Sequence, residues 1–225
     1  DAKIKRVVLT SSIAAVSANR HAGKIIQSEA DWPDPLFPTT NAYGLSKTLA
    51  ERAAWDFAVD KDIELIAINP TMVLGPTLEP DYGSSLEALV LLMSGRYPLL
   101  PKLSMGIVDV RDVAILHRLA FEHGNAGSRL LCSHGHMSLL EIATLLGREI
   151  PSLGKQLPRH ELPSFIFRAL AKFNPVLATI VPDLDKIGEY DCAPAFHLGW
   201  QPRPIEEAII CGATSLIEHG VITIN

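Results

Sequence analysis

Two short apolar runs rich in β-branched residues, KRVVLT at 5–10 and ELIAIN at 64–69, flank a stretch of helical periodicity, and this order restricts the chain to few folds. Runs of this kind, with no polar alternation, belong to parallel strands covered on both faces. Parallel neighbours need a long crossover, and the segment between them supplies one. Over residues 40–61, Ala42, Leu45, Leu49, Ala53 and Phe57 recur at three- and four-residue spacings, with Glu51 and Arg52 on other faces. Strand, helix and strand at this spacing predict a βαβ unit. Pro70 ends the second strand, because it has no N–H to continue a central ladder.

The alternation continues downstream. Residues 106–110 read as a strand, 112–123 as a helix ended by Gly124, and 128–132 as another strand. Ser138 and Glu141 form the pattern of a capping box, which starts a helix running to about Gly147. Residues 71–106 read as a loop-and-helix insertion around a helical run at 85–94, and 19–38 as a long polar loop containing Trp32. Prolines punctuate short helical pieces over 151–194, and 205–220 predicts an amphipathic helix closed by glycine. The expected class is α/β with a parallel sheet.

With 20 Lys+Arg against 25 Asp+Glu and no basic block, the chain has no electrostatic footprint for nucleic acid or an anionic membrane surface. Its apolar stretches, such as 86–93, are far shorter than the roughly 20 residues a bilayer requires, and neither a membrane anchor nor an export leader is expected. Cys132, Cys192 and Cys211 are odd in number and far apart, which fits three small buried hydrophobes in a reducing cytoplasm. His134 and His136 lie near Cys132, but the spacing fits no closed zinc site, and no metal is expected. Asp109, Arg111 and Asp112 read as an ion pair or helix start, and Trp32, Trp55 and Trp200 as packing residues.

Tyr43 and Lys47 are four residues apart, hence on one helix face about one turn from each other. A phenol, which ordinarily titrates near about 10, can exchange a proton near neutrality when a fixed cation favours phenolate. The ammonium also has three donors, enough to hold a diol such as a ribose. Ser11 and Ser12 follow the first strand at its carboxyl end, where open parallel sheets bind ligands. A hydroxyl there either orients a carbonyl or caps a turn.

Taken together, these residues resemble the extended short-chain dehydrogenase/reductases, specifically the dihydroflavonol 4-reductase-like members of the NAD-dependent epimerase/dehydratase superfamily. Six stretches match in the family's order: VVLTSS at 7–12, SEADW at 28–32, YGLSKTLAERAAW at 43–55, INPTMVLGP at 68–76, VDVRDVA at 108–114 and LGWQPRPIEEA at 198–208. The resemblance implies the C-terminal part of a Rossmann-type doubly wound parallel sheet with a small α+β substrate-binding region. Residues 1–76 and 106–133 would form the partial dinucleotide-binding domain, and 77–105 and 134–225 the substrate region with its C-terminal helix. It further implies an NADP- or NAD-dependent reduction of an aldehyde or ketone. Tyr43 would be the acid, Lys47 the cation that also holds the nicotinamide ribose, and Ser12 the second donor to the carbonyl oxygen. Pro70, Thr71, Met72 and Val73 would line the nicotinamide, and Ser85 would face the cofactor's phosphate side.

The sequence departs from this pattern twice. None of its 15 glycines has another two positions away, so the phosphate-binding G-x-G-x-x-G is absent. The expectation is that the chain corresponds to the C-terminal two-thirds of such a reductase. Its first strand would then be an exposed sheet edge prone to homo-oligomerisation. The second departure is Ser17, a short hydroxyl where the flavonoid-reducing members carry Asn, which points to a smaller carbonyl substrate. Two alternatives remain: a nucleotide-sugar epimerase or dehydratase of the same fold, and a truncated chain without activity of its own.

Overall fold

A computed structural model of the chain describes residues 4–17, 26–33 and 42–224. The expected 19–38 loop lies within them only at 26–33, and the expected helix start at Thr40 lies outside them. In chain order the described residues form β1 (Arg6–Thr10), β2 (Ile26–Gln27), α1 (Ala42–Asp60), β3 (Glu64–Pro70), β4 (Met72–Leu74), α2 (Ser84–Met93), β5 (Leu99–Pro101) and β6 (Ser104–Asp109). There follow α3 (Val110–His123), β7 (Arg129–Cys132), β8 (His136–Ser138), α4 (Leu139–Glu149), β9 (His160–Leu162), α5 (Ser164–Ala171), α6 (Pro175–Ile180), β10 (Glu189–Tyr190), α7 (Ala193–His197) and α8 (Ile205–Glu218).

The chain divides into two compact units. The first comprises Asp1–Thr71, Arg111–Ser133 and Gly188–Pro202. Its sheet is parallel in the order β1-β3-β7, with Thr10 opposite Ile68 and Ile68 opposite Leu130. Alternate strand residues point to opposite faces, yet Leu65 through Pro70 are all buried, so both faces of β3 are covered. The unbroken apolar run of the sequence reports this directly. A separate parallel pair joins β2 to β10. Trp200 is 1% exposed and donates from Nε1 to the Asp112 carbonyl at 2.9 Å. At Gly124, a Cβ would lie 2.5 Å from the Ala120 carbonyl oxygen and 2.8 Å from Ile66 Cδ1, so only glycine lets α3 end there.

One expectation reverses. The apolar stripe of α1 faces outward, with Leu49 and Phe57 both more than half exposed, while Gly44, Thr48, Glu51 and Ala58 are its buried residues. Small side chains at Gly44 and Thr48 let the helix approach closely. Glu51 is buried because a cation, Arg129, meets it there.

The second unit comprises Met72–Val110, His134–Ile187 and Arg203–Asn225. Within it β6 pairs in parallel with β4 and antiparallel with β8, and β5 pairs with β9. The 71–106 region therefore holds strands as well as a helix; at three residues each, β4 and β5 are too short for a period of two to show in sequence. Leu89, Leu92 and Met93 of α2 join Ile142 and Leu146 of α4 and Ile209, Ala213 and Leu216 of α8 in one buried cluster. Ser138 starts α4 through the predicted capping box: its Oγ accepts from Glu141 N at 3.2 Å, and Glu141 Oε2 accepts from Ser138 N at 2.7 Å. Gly75 has φ +124°, and a Cβ on Gly212 would lie 3.1 Å from its carbonyl oxygen, so two glycines permit α8 to approach that turn.

Candidate active site

The carboxyl ends of β1, β3 and β7 place the candidate residues of the first unit. Ser11 N donates to Ile68 O at 2.8 Å, prolonging the ladder one residue beyond β1. Ser12 stays extended (φ −158°, ψ 150°) and its Oγ accepts from Ala14 N at 3.2 Å, capping the short 3-10 turn Ile13–Ala15. Successive residues of extended backbone point to opposite sides. Ser11 Oγ accordingly turns inward and donates to the Glu51 carboxylate, while Ser12 Oγ lies 3.5 Å from Tyr43 Oη.

Tyr43 stands in the first turn of α1 with 56% of its surface exposed, whereas Ser12 is 8% exposed. One turn along, Lys47 Nζ is 5.7 Å from the centroid of the Tyr43 ring. A phenol open to solution, a hydroxyl held beneath it and an ammonium on the same flank thus form one group. It could present two donors to a single oxygen. Lys47 makes no hydrogen bond or ion pair among the described residues, so its three N–H donors are available to a polyol. That fits the ribose of a dinucleotide.

The other predicted residues are dispersed. Pro70 pairs with Cys132 at the carboxyl end of β3, and buried Thr71 donates from N to Cys132 O at 3.1 Å and from Oγ1 to Ser133 Oγ at 3.3 Å. Ser17 is half-buried just past the 3-10 turn and forms no hydrogen bond with Ser12 or Tyr43. Met72, Val73 and Ser85 belong to the second unit: the first two pair with Ile107 and Val108, and Ser85 is half-buried in the first turn of α2.

Sequence reasoning misses the polar hub beneath Ser12. Glu51, with a side chain 0% exposed, pairs with Arg129 Nε at 2.6 Å and accepts from Asn69 Nδ2 at 2.7 Å. Arg129 also donates to the carbonyls of Glu29, Asp31 and Ala15 at 2.7, 2.7 and 3.0 Å, and stacks 3.8 Å from the Trp32 ring centroid. An arginine inside the RLLC strand, the first residue of an otherwise apolar run, is the available signal.

Among the described residues no cluster of three or more His, Cys, Asp or Glu could hold a metal ion. Asp109 pairs with Arg203 at 3.2 Å. Burial raises the Cys132 thiol well above its ordinary range and pushes Cys192 up to about 11. None of the described helices is long and apolar enough to cross a membrane.

A family model, the NAD dependent epimerase/dehydratase family, matches residues 1–131. Cinnamoyl-CoA reductase 1 of Arabidopsis thaliana is 38% identical over 168 residues, which cover 73% of this chain and 46% of that protein. Cinnamoyl-CoA reductase 2 of the same plant is 33% identical over 222 residues, 97% of this chain and 61% of that protein. An anthocyanidin reductase of Vitis vinifera is 36% identical, covering 66% and 48%. The chain thus spans about half the length of the curated relatives it matches. Among solved structures, the yeast methylglyoxal/isovaleraldehyde reductase Gre2 complexed with NADPH superposes with a TM-score of 0.74 at 27% identity, over 96% of this chain and 65% of that one.

Proposed function

The chain belongs to the NAD-dependent epimerase/dehydratase family, and from that premise we propose that it reduces an aldehyde or ketone to an alcohol with NADPH, NADH being the weaker donor. One observation carries the reading: Ser12 Oγ and Tyr43 Oη lie 3.5 Å apart beside the uncommitted Lys47 ammonium, at the carboxyl end of parallel strands. The relatives named as reductases and the NADPH complex support the choice of cofactor and reaction.

When bound, the reduced nicotinamide supplies hydride to the carbonyl carbon. Tyr43 gives its phenolic proton to the carbonyl oxygen as negative charge develops there, and Ser12 Oγ–H donates a hydrogen bond to the same oxygen. The Lys47 ammonium favours the phenolate left behind and holds the ribose hydroxyls. The backbone of Pro70, Thr71, Met72 and Val73 would line the nicotinamide, Ser85 would serve its phosphate side, and Ser17 would meet the substrate. In this reading residues 1–76 and 106–133 serve the cofactor, and 77–105 and 134–225 the substrate. Three cysteines without a disulfide favour the cytoplasm as its place. Among the described residues β1 has only β3 as neighbour, and its open edge supports self-association, which light scattering would register as a dimer.

The test is titration with NADPH and NADH, followed by quenching of the tryptophans, and then a screen of small aldehydes. Micromolar NADPH binding with aldehyde turnover is expected. Tyr43→Phe should lower kcat by about 100-fold or more while leaving NADPH affinity nearly unchanged. Turnover of UDP-glucose with no aldehyde reduction would move the chain to the epimerase alternative, and the absence of nucleotide binding would refute the reading for this chain.

A further inference from the structure

The carboxylate of Glu51 is saturated by donors. Oε1 accepts from Arg129 Nε at 2.6 Å and from Trp55 Nε1 at 3.3 Å, while Oε2 accepts from Asn69 Nδ2 at 2.7 Å and from Ser11 Oγ. Asn69 extends the arrangement by one step, because the same Nδ2 donates to the Ser12 carbonyl at 3.1 Å. Its orientation follows from chemistry: a carboxylate and a carbonyl only accept, so the amide must turn its NH₂ to them. Oδ1 is then left buried with no partner, in a residue that is 0% exposed. An unpartnered buried oxygen is costly, so the amide is held there for its donors.

These bonds fix the backbone on both sides of the candidate serine. Ser11 is held by its hydroxyl, Ser12 by its carbonyl, and Ala15 by its carbonyl through Arg129 Nη2 at 3.0 Å. Ser12 Oγ stands at the outer limit of hydrogen-bond distance from Tyr43, so a backbone shift of about 1 Å would separate them. We propose that Glu51 is a positioning residue for the reduction, holding Ser12 against Tyr43 through Asn69, with Arg129 as the counter-ion that keeps the carboxylate in place. This rests on the reading above, in which Ser12 binds the carbonyl oxygen.

A purely structural role for the hub would lower activity too, so the test is a double-mutant cycle in the whole chain. Glu51→Gln cannot accept from all four donors, and Asn69→Ala removes the relay while leaving the Glu51–Arg129 pair intact, should the first variant not fold. Each is expected to lower kcat for an aldehyde by about 10- to 100-fold, with KM for NADPH changed by less than about threefold. In a Ser12→Ala background the same substitutions should cost less than about twofold, because the residue they position is already gone. An undiminished loss in that background would overturn the proposal. Crystal structures of Asn69→Ala and the parent chain supply a readout independent of turnover. Separation of Ser12 Oγ and Tyr43 Oη to about 4.5 Å or more upholds the positioning role, and a distance still within hydrogen-bond range refutes it. Should the parent chain reduce no carbonyl, the functional reading fails, and the crystal structures alone decide whether Glu51 positions Ser12.

Discussion

Arg129→Met should destabilise the first unit severely, and the reason is arithmetic on one buried pair. The Arg129 and Glu51 side chains are 7% and 0% exposed, so water cannot replace the lost guanidinium. Removing one partner of a buried ion pair costs about 3–5 kcal/mol, because the remaining charge stays desolvated. Here the carbonyls of Glu29, Asp31 and Ala15 lose their donor as well. Against a typical domain stability of about 5–15 kcal/mol, that is about a fifth of the total or more. The exposed Arg6–Glu64 pair, 27% and 51% accessible, should cost under about 1 kcal/mol on Arg6→Met, a loss that salt would shrink. Trp32, Trp55 and Trp200 all lie in the first unit, so tryptophan fluorescence during urea unfolding reports that unit alone. With a slope near about 2 kcal/mol per molar urea, a loss of about 4 kcal/mol lowers the midpoint by roughly 2 M. The double variant Glu51→Met/Arg129→Met removes both charges and should recover most of that shift. An Arg129→Met midpoint within about 0.5 M of the parent would refute the argument.

Further outcomes follow from the geometry. Ser138→Ala removes the hydroxyl of the capping box and should cost about 1 kcal/mol in thermal or urea unfolding of the second unit, followed by circular dichroism. Hydrogen bonds from Ser138 hold Glu141 below its usual 4.5, so its contribution is complete above that value and is lost as pH falls through the lowered one; Glu141→Gln should flatten this acid limb. Cys132 and Cys192, both buried with thiols shifted upward, should resist iodoacetamide in mildly alkaline buffer in the native chain and react in urea, while the half-buried Cys211 is alkylated first, as peptide mass mapping would show. Gly124→Ala would drive a Cβ against the Ala120 carbonyl oxygen and Ile66, and should lower the first unit's urea midpoint by the equivalent of about 1–3 kcal/mol.

What is legible in the sequence and what is hidden divide along a physical line. Apolar runs announce β3 and β7, whose covered faces need no polar alternation, and a run of the same kind announces the half-buried β1. The four-residue spacing of Tyr43 and Lys47 places them on one helix face, because residues four apart on a helix are neighbours about one turn apart. The interior of the same helix escapes such reasoning. Periodicity finds the face where large apolar residues recur, and in α1 those residues are Leu49 and Phe57, which are exposed. The face that meets the sheet carries Gly44, Thr48 and Glu51, two small residues and a charge, and no hydropathy pattern scores such a stripe as core.

Glu51 is buried only because Arg129 answers it from 78 positions away, and such a partnership has no local signature. Each half nevertheless breaks a local rule: a glutamate in register with Gly44 and Thr48 on one helix stripe, and an arginine opening a strand whose other residues are apolar. A charge placed against its local pattern has a desolvation cost that something must offset. The same irregularity marks Arg6 and Glu64, which open β1 and β3, so it is burial, and not the sequence alone, that singles out Glu51 and Arg129. That pair leads through Asn69 to the serine on which the proposed reduction depends.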